Sequence, residues 1–454
     1  MLKAGERREP SLKRNVNLFQ AVMYGVGLIL GAGIYVLIGD AAGIAGNAMW
    51  ISFVIAAVIA AFTGLSFAEL SSMFPKSAAE YVFVKNAFKN NLIAFVTGWL
   101  ITFVAIASSA AVAIGFSGYL EIFFPQFDPL LSAVALIVAL SAINFIGIRE
   151  SIWMNTTFAL IELGGLAIVV LAAVLLGSFV GPDYYEMPPP ASASLSLSAG
   201  AVLGAAGLVF FAYIGFENLA NIAEETKNAP RTIPKALIIS IVATTGIYIL
   251  VAVSAIALVG WENLSSTEAP LALATEKAFG RVGLTVLSVI ALFATSNTVL
   301  MMLVAGSRII FGMSRERALP PAFGRVHHAT KTPWIAIVLT MLLTVAAVAL
   351  SRGSISAVAN IAVFAIFMVY VAVNLSLIWL RYRQPELERP FRSPVRIGWF
   401  PVLAGLGVAT SLAMLTQFDS ATMMAGATAI AIGLIGYAAV GRYRSRQYGR
   451  DEFA

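Results

Sequence analysis

The chain has 454 residues, of which 59% are hydrophobic and 11% are charged, and its mean hydropathy is +0.88. Because soluble globular domains carry about 25% charged residues, this composition excludes a water-soluble globular protein and indicates a surface that faces lipid. Cysteine is absent, which excludes disulfides and thiolate metal sites. The formal net charge of +6 is compatible with a nucleic-acid partner until the positions of the basic residues are considered.

The first 16 residues are polar and basic, and no short apolar core with a small-residue cleavage site follows them. We interpret them as a cytoplasmic N-terminal tail and not as a signal peptide. A membrane-spanning helix needs about 17–25 apolar residues, and the remaining chain contains about twelve such runs. The predicted spans cover residues 17–39, 48–72, 92–118, 131–147, 151–177, 198–222, 236–260, 282–306, 333–350, 355–380, 398–415 and 422–441.

The Lys and Arg residues orient these spans. With the N-terminus in the cytoplasm, all basic residues except Lys277, Arg281 and Arg352 fall in cytoplasmic segments, as the positive-inside rule expects. An even number of spans places the C-terminus inside as well. We therefore expect a multi-pass plasma-membrane protein whose net charge reflects its topology, with the lipid bilayer and no nucleic acid as its partner.

Span one contains GVGLILGAGIYVLIG at residues 25–39, with Gly31, Ala32 and Gly33 near the middle of the bilayer. Glycine weakens a helix by about 0.5–1 kcal/mol relative to alanine, and any backbone it frees must find a partner in hydrocarbon. The cluster therefore indicates either a face for close helix packing or a break in the helix.

Span five carries a carboxylate, Glu162, about 15 Å from the span boundary at a rise of 1.5 Å per residue. A charged side chain at that depth costs at least about 2.5–3.5 kcal/mol. The functional interpretation is a proton carrier or a cation ligand that faces the break in span one. The alternative is a hydrogen-bonded structural glutamate.

Span six reads GAVLGAAGLVFFAYIGFENLANIAEE. Its unusual residues for a spanning helix are Gly204, Gly207, Gly215, Phe210, Phe211, Tyr213 and Glu217. Five helices separate the starts of spans one and six, and a repeat of odd length must be inserted upside down relative to the first. Because glycine-interrupted spans at corresponding places in two halves mark a transporter's substrate site, the sequence favours a break in both spans.

An unwound turn frees backbone groups for binding. The half-helix that begins there points its positive end at the gap, where N–H groups hold a carboxylate, and freed carbonyls hold an ammonium group or a metal ion. This pair of features suits the zwitterionic head of an α-amino acid. No cofactor or metal site is predicted, since His327 and His328 lie in a basic cytoplasmic loop.

Four segments resemble the amino acid–polyamine–organocation (APC) superfamily, whose members share the leucine-transporter fold. They are GVGLILGAGIYVLIG (25–39), FAELSSMFPKSAAEYVFVKNAF (67–88), FFAYIGFENLANIAEETKNAPRTIPKAL (210–237) and SRIIFGMSRERALP (307–320). The resemblance implies an all-α membrane protein of about 12 transmembrane helices with a five-plus-five inverted repeat and broken helices one and six. It implies a secondary transporter of amino acids that works by alternating access.

The implied organisation follows from the same resemblance. Its parts are a tail at 1–16, a transporter core at 17–380 with inverted repeats at about 17–177 and 198–380, helices eleven and twelve at 398–441, and a cytoplasmic tail at 442–454. The implied substrate contacts are the amides of Gly31, Ala32 and Gly33 for the carboxylate, carbonyls at Leu28, Ile29, Phe211, Ala212 and Ile214 for the amine, and Phe211 and Tyr213 as gate or side-chain pocket.

Two departures from the family pattern bear on mechanism. The first cytoplasmic loop has Ala78 and Ala79 where relatives have a glycine pair. Glu162 stands where proton-coupled relatives place a lysine and where sodium-coupled members of the fold bind an ion. The predicted coupling residues are Glu162 and Glu217, and the alternative for Glu217 is to cap the broken backbone. Hydroxyls at Thr295, Ser296 and Thr298 lie where sodium-coupled members of the fold hold a sodium ion, although hydroxyls on spanning helices more often bond their own backbone or a neighbouring helix.

Several alternatives remain open at this point. Proton coupling is the first expectation, with an amino acid or amine exchanger and a sodium-coupled symporter behind it, followed by a polyamine transporter and a transporter-like nutrient sensor. A channel is disfavoured because no pore loop accompanies each repeat. An intramembrane enzyme is disfavoured because no nucleophile with its base, and no ligand set for a metal, lies at membrane depth.

Overall fold

A computed structural model describes residues 16–189, 195–267, 269–351 and 353–448. Most of the two predicted tails, together with Arg352, therefore lies outside the described residues. The helices are α1 Leu18–Ala45, α2 Met49–Met73, α3 Ala79–Phe88, α4 Asn91–Glu121, α5 Pro129–Ile146, α6 Ile148–Leu175, α7 Leu195–Val209, α8 Asn218–Asn221, α9 Ala229–Ser265, α10 Pro270–Arg315, α11 Trp334–Leu350, α12 Ile355–Arg383, α13 Val402–Leu415 and α14 Ser420–Tyr448. One hairpin pairs β1 Arg396–Ile397 with β2 Phe400–Pro401.

The described residues form a multi-pass helical membrane protein, as the composition predicts. Nine helical stretches in them are long and apolar enough to cross a bilayer, and the first, Leu18–Met73, contains both α1 and α2. Two further apolar helices, α11 and α13, are shorter. The predicted span at 398–415 begins too early, because Gly398 has a φ of +59° in the β1–β2 turn and the helix starts after Pro401.

Polar side chains define where several helices begin. Asn17 and Gln20 cap α1 reciprocally: the Gln20 N–H donates to Asn17 Oδ1 at 2.9 Å, and the Asn17 N–H donates to Gln20 Oε1 at 3.0 Å. Asn90 Oδ1 accepts the Leu92 N–H at the start of α4, and Asp128 Oδ1 accepts the Leu131 N–H at the start of α5. Such caps satisfy N–H groups that have no partner within the helix.

Three of the long helices contain a residue with non-helical backbone angles: Gly31 in α1, Gly260 in α9 and Gly280 in α10. Gly260 and Gly280 coincide with the ends of predicted spans, so the helical backbone continues past them into the connection between α9 and α10. Gly31 differs from both because it is fully buried at the centre of the bundle. There α1 packs against α6, α7, α9 and α10.

The residue Val16, just before α1, pairs with the segment that follows α8. Val16 pairs in parallel with Thr226, through N–H···O bonds of 3.0 Å to Glu225 O and 2.9 Å from Lys227 N. Glu225 also lies 3.7 Å from the Arg308 guanidinium on α10. At the opposite end of α1, a cavity of about 460 Å³ opens between α1, α7, α12 and the α13–α14 turn.

Glu69 on α2 anchors the loop that follows α12. Its carboxylate accepts hydrogen bonds from Arg381 of α12, from Nε at 3.0 Å and from Nη2 at 2.5 Å. The same carboxylate accepts the Ser393 N–H at 2.8 Å and lies 3.4 Å from Arg389 Nε. Glu69 therefore fixes the loop after α12, because those cations reach α2 only in the folded bundle.

Candidate functional site

The first interruption lies at the predicted glycine cluster of span one. Gly31 has φ −10° and ψ −154°, between helical segments of α1. A Cβ at this position would lie 1.9 Å from Thr298 Oγ1 on α10. A side chain is excluded because the hydroxyl of α10 occupies the space beside the unwound turn.

The second interruption lies in predicted span six and is longer. Helix α7 ends at Val209, residues Phe210–Tyr213 form a 3₁₀ turn, and Ile214 is extended. Gly215 then has a φ of +132°, which only glycine adopts without strain, before α8 begins at Asn218.

The two interruptions are in contact. A Cβ on Gly33 would lie 2.4 Å from Ala212 Cα, and one on Gly215 would lie 3.1 Å from Leu28 O. The small residues thus let two pieces of irregular backbone approach each other at the centre of the bundle. Irregular backbone at membrane depth is tolerated where protein buries it or where it lines a cavity.

A narrow cavity lies at this contact and leaves room for about one water-sized sphere. It is lined by Leu28, Ile29, Ala32, Gly33, Ser108, Phe211, Ala212, Ile214, Thr298 and Met302. Seven of the nine substrate-contact residues predicted from sequence line it. The remaining two are Gly31, beside Thr298, and Tyr213, whose hydroxyl donates to Phe53 O on α2 at 3.2 Å.

Backbone groups at the site already have partners. The Ala32 N–H, predicted to hold a carboxylate, donates to Thr298 Oγ1 at 2.9 Å. The Phe211 carbonyl accepts the Ile214 N–H at 3.1 Å. A carboxylate that takes the Ala32 amide therefore has to displace the Thr298 hydroxyl.

Tyr248 on α9 was not predicted and connects the two interruptions. Its hydroxyl lies between Ile29 O of α1 and Ala212 O of the second break, at 2.9 Å from the latter. These are two of the carbonyls expected to bind an amine. A tyrosine in the middle of a long apolar run was the sequence signal, but the partner of its hydroxyl depends on how α9 packs on α1.

Glu217 stabilises the second interruption. Both carboxylate oxygens accept the Gly215 N–H, at 3.1 and 3.0 Å. Asn218 Nδ2 donates to the same group at 3.2 Å and the Tyr370 hydroxyl of α12 at 3.1 Å. Its hydrogen bonds go to groups around the break, as expected for the capping alternative, and the coupling role of Glu217 stays a prediction.

Glu162 lies beside α1 in a buried polar cluster. Its Oε1 accepts Asn297 Nδ2 of α10 at 3.3 Å, and its Oε2 has no hydrogen-bond partner among the described residues. Asn297 Nδ2 also lies 3.4 Å from Gly27 O and 3.3 Å from Asn155 Oδ1. Asn155 and Asn297 were not among the site residues predicted from sequence, although a polar residue within a membrane span is itself a signal of function.

The predicted hydroxyls of span eight do not join this cluster. Thr295 Oγ1 donates to the carbonyls of its own helix, at 2.8 Å to Ala291 O and 3.2 Å to Leu292 O. Ser296 is half-buried, and its side chain makes no hydrogen bond to the part of the chain that the structure describes. The hydroxyl that reaches α1 belongs to Thr298, through the Ala32 amide.

The candidate site therefore consists of two interrupted helices that meet around a cavity. The family model described as amino acid permease matches residues 16–439. The chain belongs to this family, within the APC superfamily. The permease is thus related to transporters.

The alignments with named relatives cover most of the permease. It is 29% identical over 460 residues to the branched-chain amino acid permease BcaP of Bacillus subtilis, covering 96% of this chain and 95% of the relative. It is 27% identical over 454 residues to the methylthioribose transporter of the same species, covering 96% and 95%. Cationic amino acid transporter 4 of Mus musculus is 29% identical over 399 residues, covering 83% of this chain and 61% of the relative.

Proposed function

We propose that the permease is a secondary active transporter that carries amino acids across the plasma membrane by alternating access. The observation that carries this proposal is the contact between two interrupted helices around a buried cavity. Such discontinuous helices supply both N–H dipoles and free carbonyls to a substrate near the bilayer midplane. Membership of the amino acid permease family supports amino acids as the substrate class.

The proposed topology has twelve spans with both termini in the cytoplasm. It assigns one span each to α1, α2, α4, α5, α6, α9, α10, α11, α12, α13 and α14, and one to α7 together with α8. The core, 17–380, then contains two inverted repeats, at about 17–177 and 198–380, and residues 398–441 follow as an accessory pair. An interruption in the first span of each repeat supports this assignment.

In this proposal the backbone of the two breaks binds the head of the substrate. Amides at Gly31, Ala32 and Gly33 hold the carboxylate after the Thr298 hydroxyl gives up the Ala32 N–H. Carbonyls of both breaks, including Ile29 O and Ala212 O, take the ammonium group in exchange for the Tyr248 hydroxyl. While the site is closed, the hydroxyls of Thr298 and Tyr248 make hydrogen bonds to these backbone groups, and the substrate replaces the two hydroxyls when it binds.

Proton coupling is proposed through Glu162. Its Oε2 is buried and has no hydrogen-bond partner among the described residues. Because an uncompensated buried charge is very costly, a carboxyl in such a place binds a proton and becomes neutral. Asn297 connects it to Gly27 O of α1, four residues before the break at Gly31. Through this contact a change in the protonation of Glu162 acts on the substrate site. A sodium-coupled symporter and an exchanger are the alternatives, followed by a polyamine transporter and a nutrient sensor.

Uptake into proteoliposomes tests the function. We expect saturable counterflow of an amino acid, and accumulation when a proton gradient is imposed. Glu162→Gln should abolish the proton dependence while exchange persists, and Glu262→Gln, an exposed glutamate at the end of α9, serves as the matched control. Single-channel currents in place of saturable flux would contradict the carrier, and an unchanged pH dependence in Glu162→Gln would contradict the coupling role.

A further inference from the structure

The chemistry of the cavity at the two breaks restricts what can occupy it. The side chains that line it belong to Leu28, Ile29, Phe211, Ile214 and Met302, beside small residues and two hydroxyls. The lining includes no charged side chain. Ligand sites are mostly apolar, with a few polar groups that orient the ligand. This small cavity likewise has an apolar lining with two hydroxyl groups.

The two hydroxyls differ in one respect. Thr298 Oγ1 accepts the Ala32 N–H and donates to Ala294 O at 3.2 Å within its own helix. Ser108 Oγ on α4 is 1% exposed as a residue and has no hydrogen-bond partner among the described residues. A buried hydroxyl without a partner costs stability, and this one lies in the cavity wall.

We propose that this cavity binds a neutral amino acid with an apolar side chain, and that Ser108 donates a hydrogen bond to the polar head of that substrate. The proposal rests on the amino acid transport function proposed above and names the substrate class of the same site. The unpaired hydroxyl of Ser108 and the uncharged lining are the two observations that carry it.

The lining excludes cationic and acidic side chains on energetic grounds. A Lys or Arg tail would bring a charge into apolar surroundings, which is strongly unfavourable without a partner. Glu217, in the second break, already accepts hydrogen bonds on both oxygens. Glu162 contacts Asn297 and is not part of the cavity lining. An aliphatic side chain meets no such penalty.

The cavity must widen to admit an amino acid. Met302 and Phe211 have the longest side chains in the lining. Methionine is unbranched with three rotatable bonds, so it adapts to ligands of different shape. This predicts a selectivity that follows the size of the apolar side chain. Met302→Ala should therefore raise the uptake of phenylalanine relative to valine.

Thermal shift and competition measurements on the purified full-length permease test the substrate class. Valine, leucine and isoleucine should raise the Tm and compete in counterflow, whereas lysine, arginine and aspartate should do neither. If lysine or arginine competes as well as leucine, the proposed substrate class is wrong although amino acid transport stands. If no amino acid binds or is transported, the proposed function itself fails.

A pair of neighbouring serines tests Ser108. Ser108→Ala should weaken the apparent affinity for leucine by about ten-fold or more, as expected for a hydrogen bond to a charged group. The Tm of the substrate-free protein should not fall, because the hydroxyl has no partner there. Ser109→Ala is the matched control, since Ser109 Oγ donates to Ala105 O of its own helix at 2.8 Å. An unchanged KM in Ser108→Ala, or a lowered Tm without a change in KM, would overturn the role of Ser108.

Discussion

The two interrupted helices reach similar irregular backbone by different means. The break in α1 is confined to Gly31, and there a neighbouring hydroxyl occupies the place that a side chain would take. The break before α8 extends over several residues, and the buried carboxylate of Glu217 accepts hydrogen bonds from the groups around it. Close packing therefore defines the first break, whereas a polar network defines the second.

This difference predicts how each break fails. A break held by packing is sensitive to added volume, and a break held by a polar network is sensitive to the loss of its central acceptor. Tyr248 belongs to both, because its hydroxyl contacts a carbonyl of each. The variants below separate these contributions.

Removing the carboxylate of the second break should have the largest effect. Glu217→Ala leaves the Gly215 N–H, Asn218 Nδ2 and the Tyr370 hydroxyl without their acceptor. We expect the free energy of unfolding to fall by about 3–5 kcal/mol, since each buried unsatisfied group costs about 1–3 kcal/mol. Thermal unfolding in detergent measures this, with Glu217→Gln, which keeps one acceptor, falling in between. A loss below about 1 kcal/mol in Glu217→Ala would contradict the capping role.

Adding volume to the first break should come next. Gly31→Ala places a methyl group against Thr298 Oγ1, and we expect a loss of about 1–3 kcal/mol in the free energy of unfolding together with loss of uptake. Adding Thr298→Ala should restore part of the stability, because it removes the atom in contact. Gly246→Ala on α9 is the control, since no atom lies within 4 Å of the added Cβ. Equal behaviour of Gly31→Ala and Gly246→Ala would show that space does not define the break.

Removing the shared hydroxyl should have a smaller effect that couples the two breaks. Tyr248→Phe leaves Ile29 O and Ala212 O without this donor, at a cost of about 1–2 kcal/mol. In double-mutant cycles it should show an interaction energy above about 0.5 kcal/mol with both Gly31→Ala and Glu217→Ala. Tyr213→Phe, which loses a bond to Phe53 O on α2, is the matched control. Additivity with both variants would mean that Tyr248 does not connect the breaks.

The last prediction concerns pH and the second break alone. Burial raises the pKa of Glu80, in the short helix α3 outside the spans, from the usual value near 4.5 to about 8. The group therefore binds its proton more tightly in the folded protein, so stability should decline as the pH rises from about 4.5 to about 8 and then level off. Asn221 of α8 donates to this carboxyl at 3.3 Å.

The measurement is the Tm of purified protein across this pH range. Glu80→Gln cannot titrate and should remove that part of the slope while it keeps an acceptor for Asn221. Parallel Tm curves for the wild type and Glu80→Gln would show that Glu80 does not titrate in this range.

The sequence predicts irregular backbone at Gly31 because glycine is costly in a regular helix at mid-membrane, and Gly31 has non-helical backbone angles. Seven of the nine predicted contact residues line the cavity, and their contacts with substrate stay predictions. The sequence did not indicate that the Tyr213 hydroxyl donates to α2, or that Glu69 holds the loop after α12. In both cases the side chain has several partners within reach, and the packing of distant helices selects among them.

The sequence by itself determined a lipid-facing helical chain, the positions of most spans and the two places where a spanning helix is weakest. These follow from composition and from local backbone preferences, which do not depend on distant residues. Tertiary structure alone decided that Thr298 holds the Ala32 amide, that Tyr248 joins the two breaks, and that Asn297 sits beside Glu162. Those contacts join residues far apart in the chain, and their geometry is set by how the helices pack.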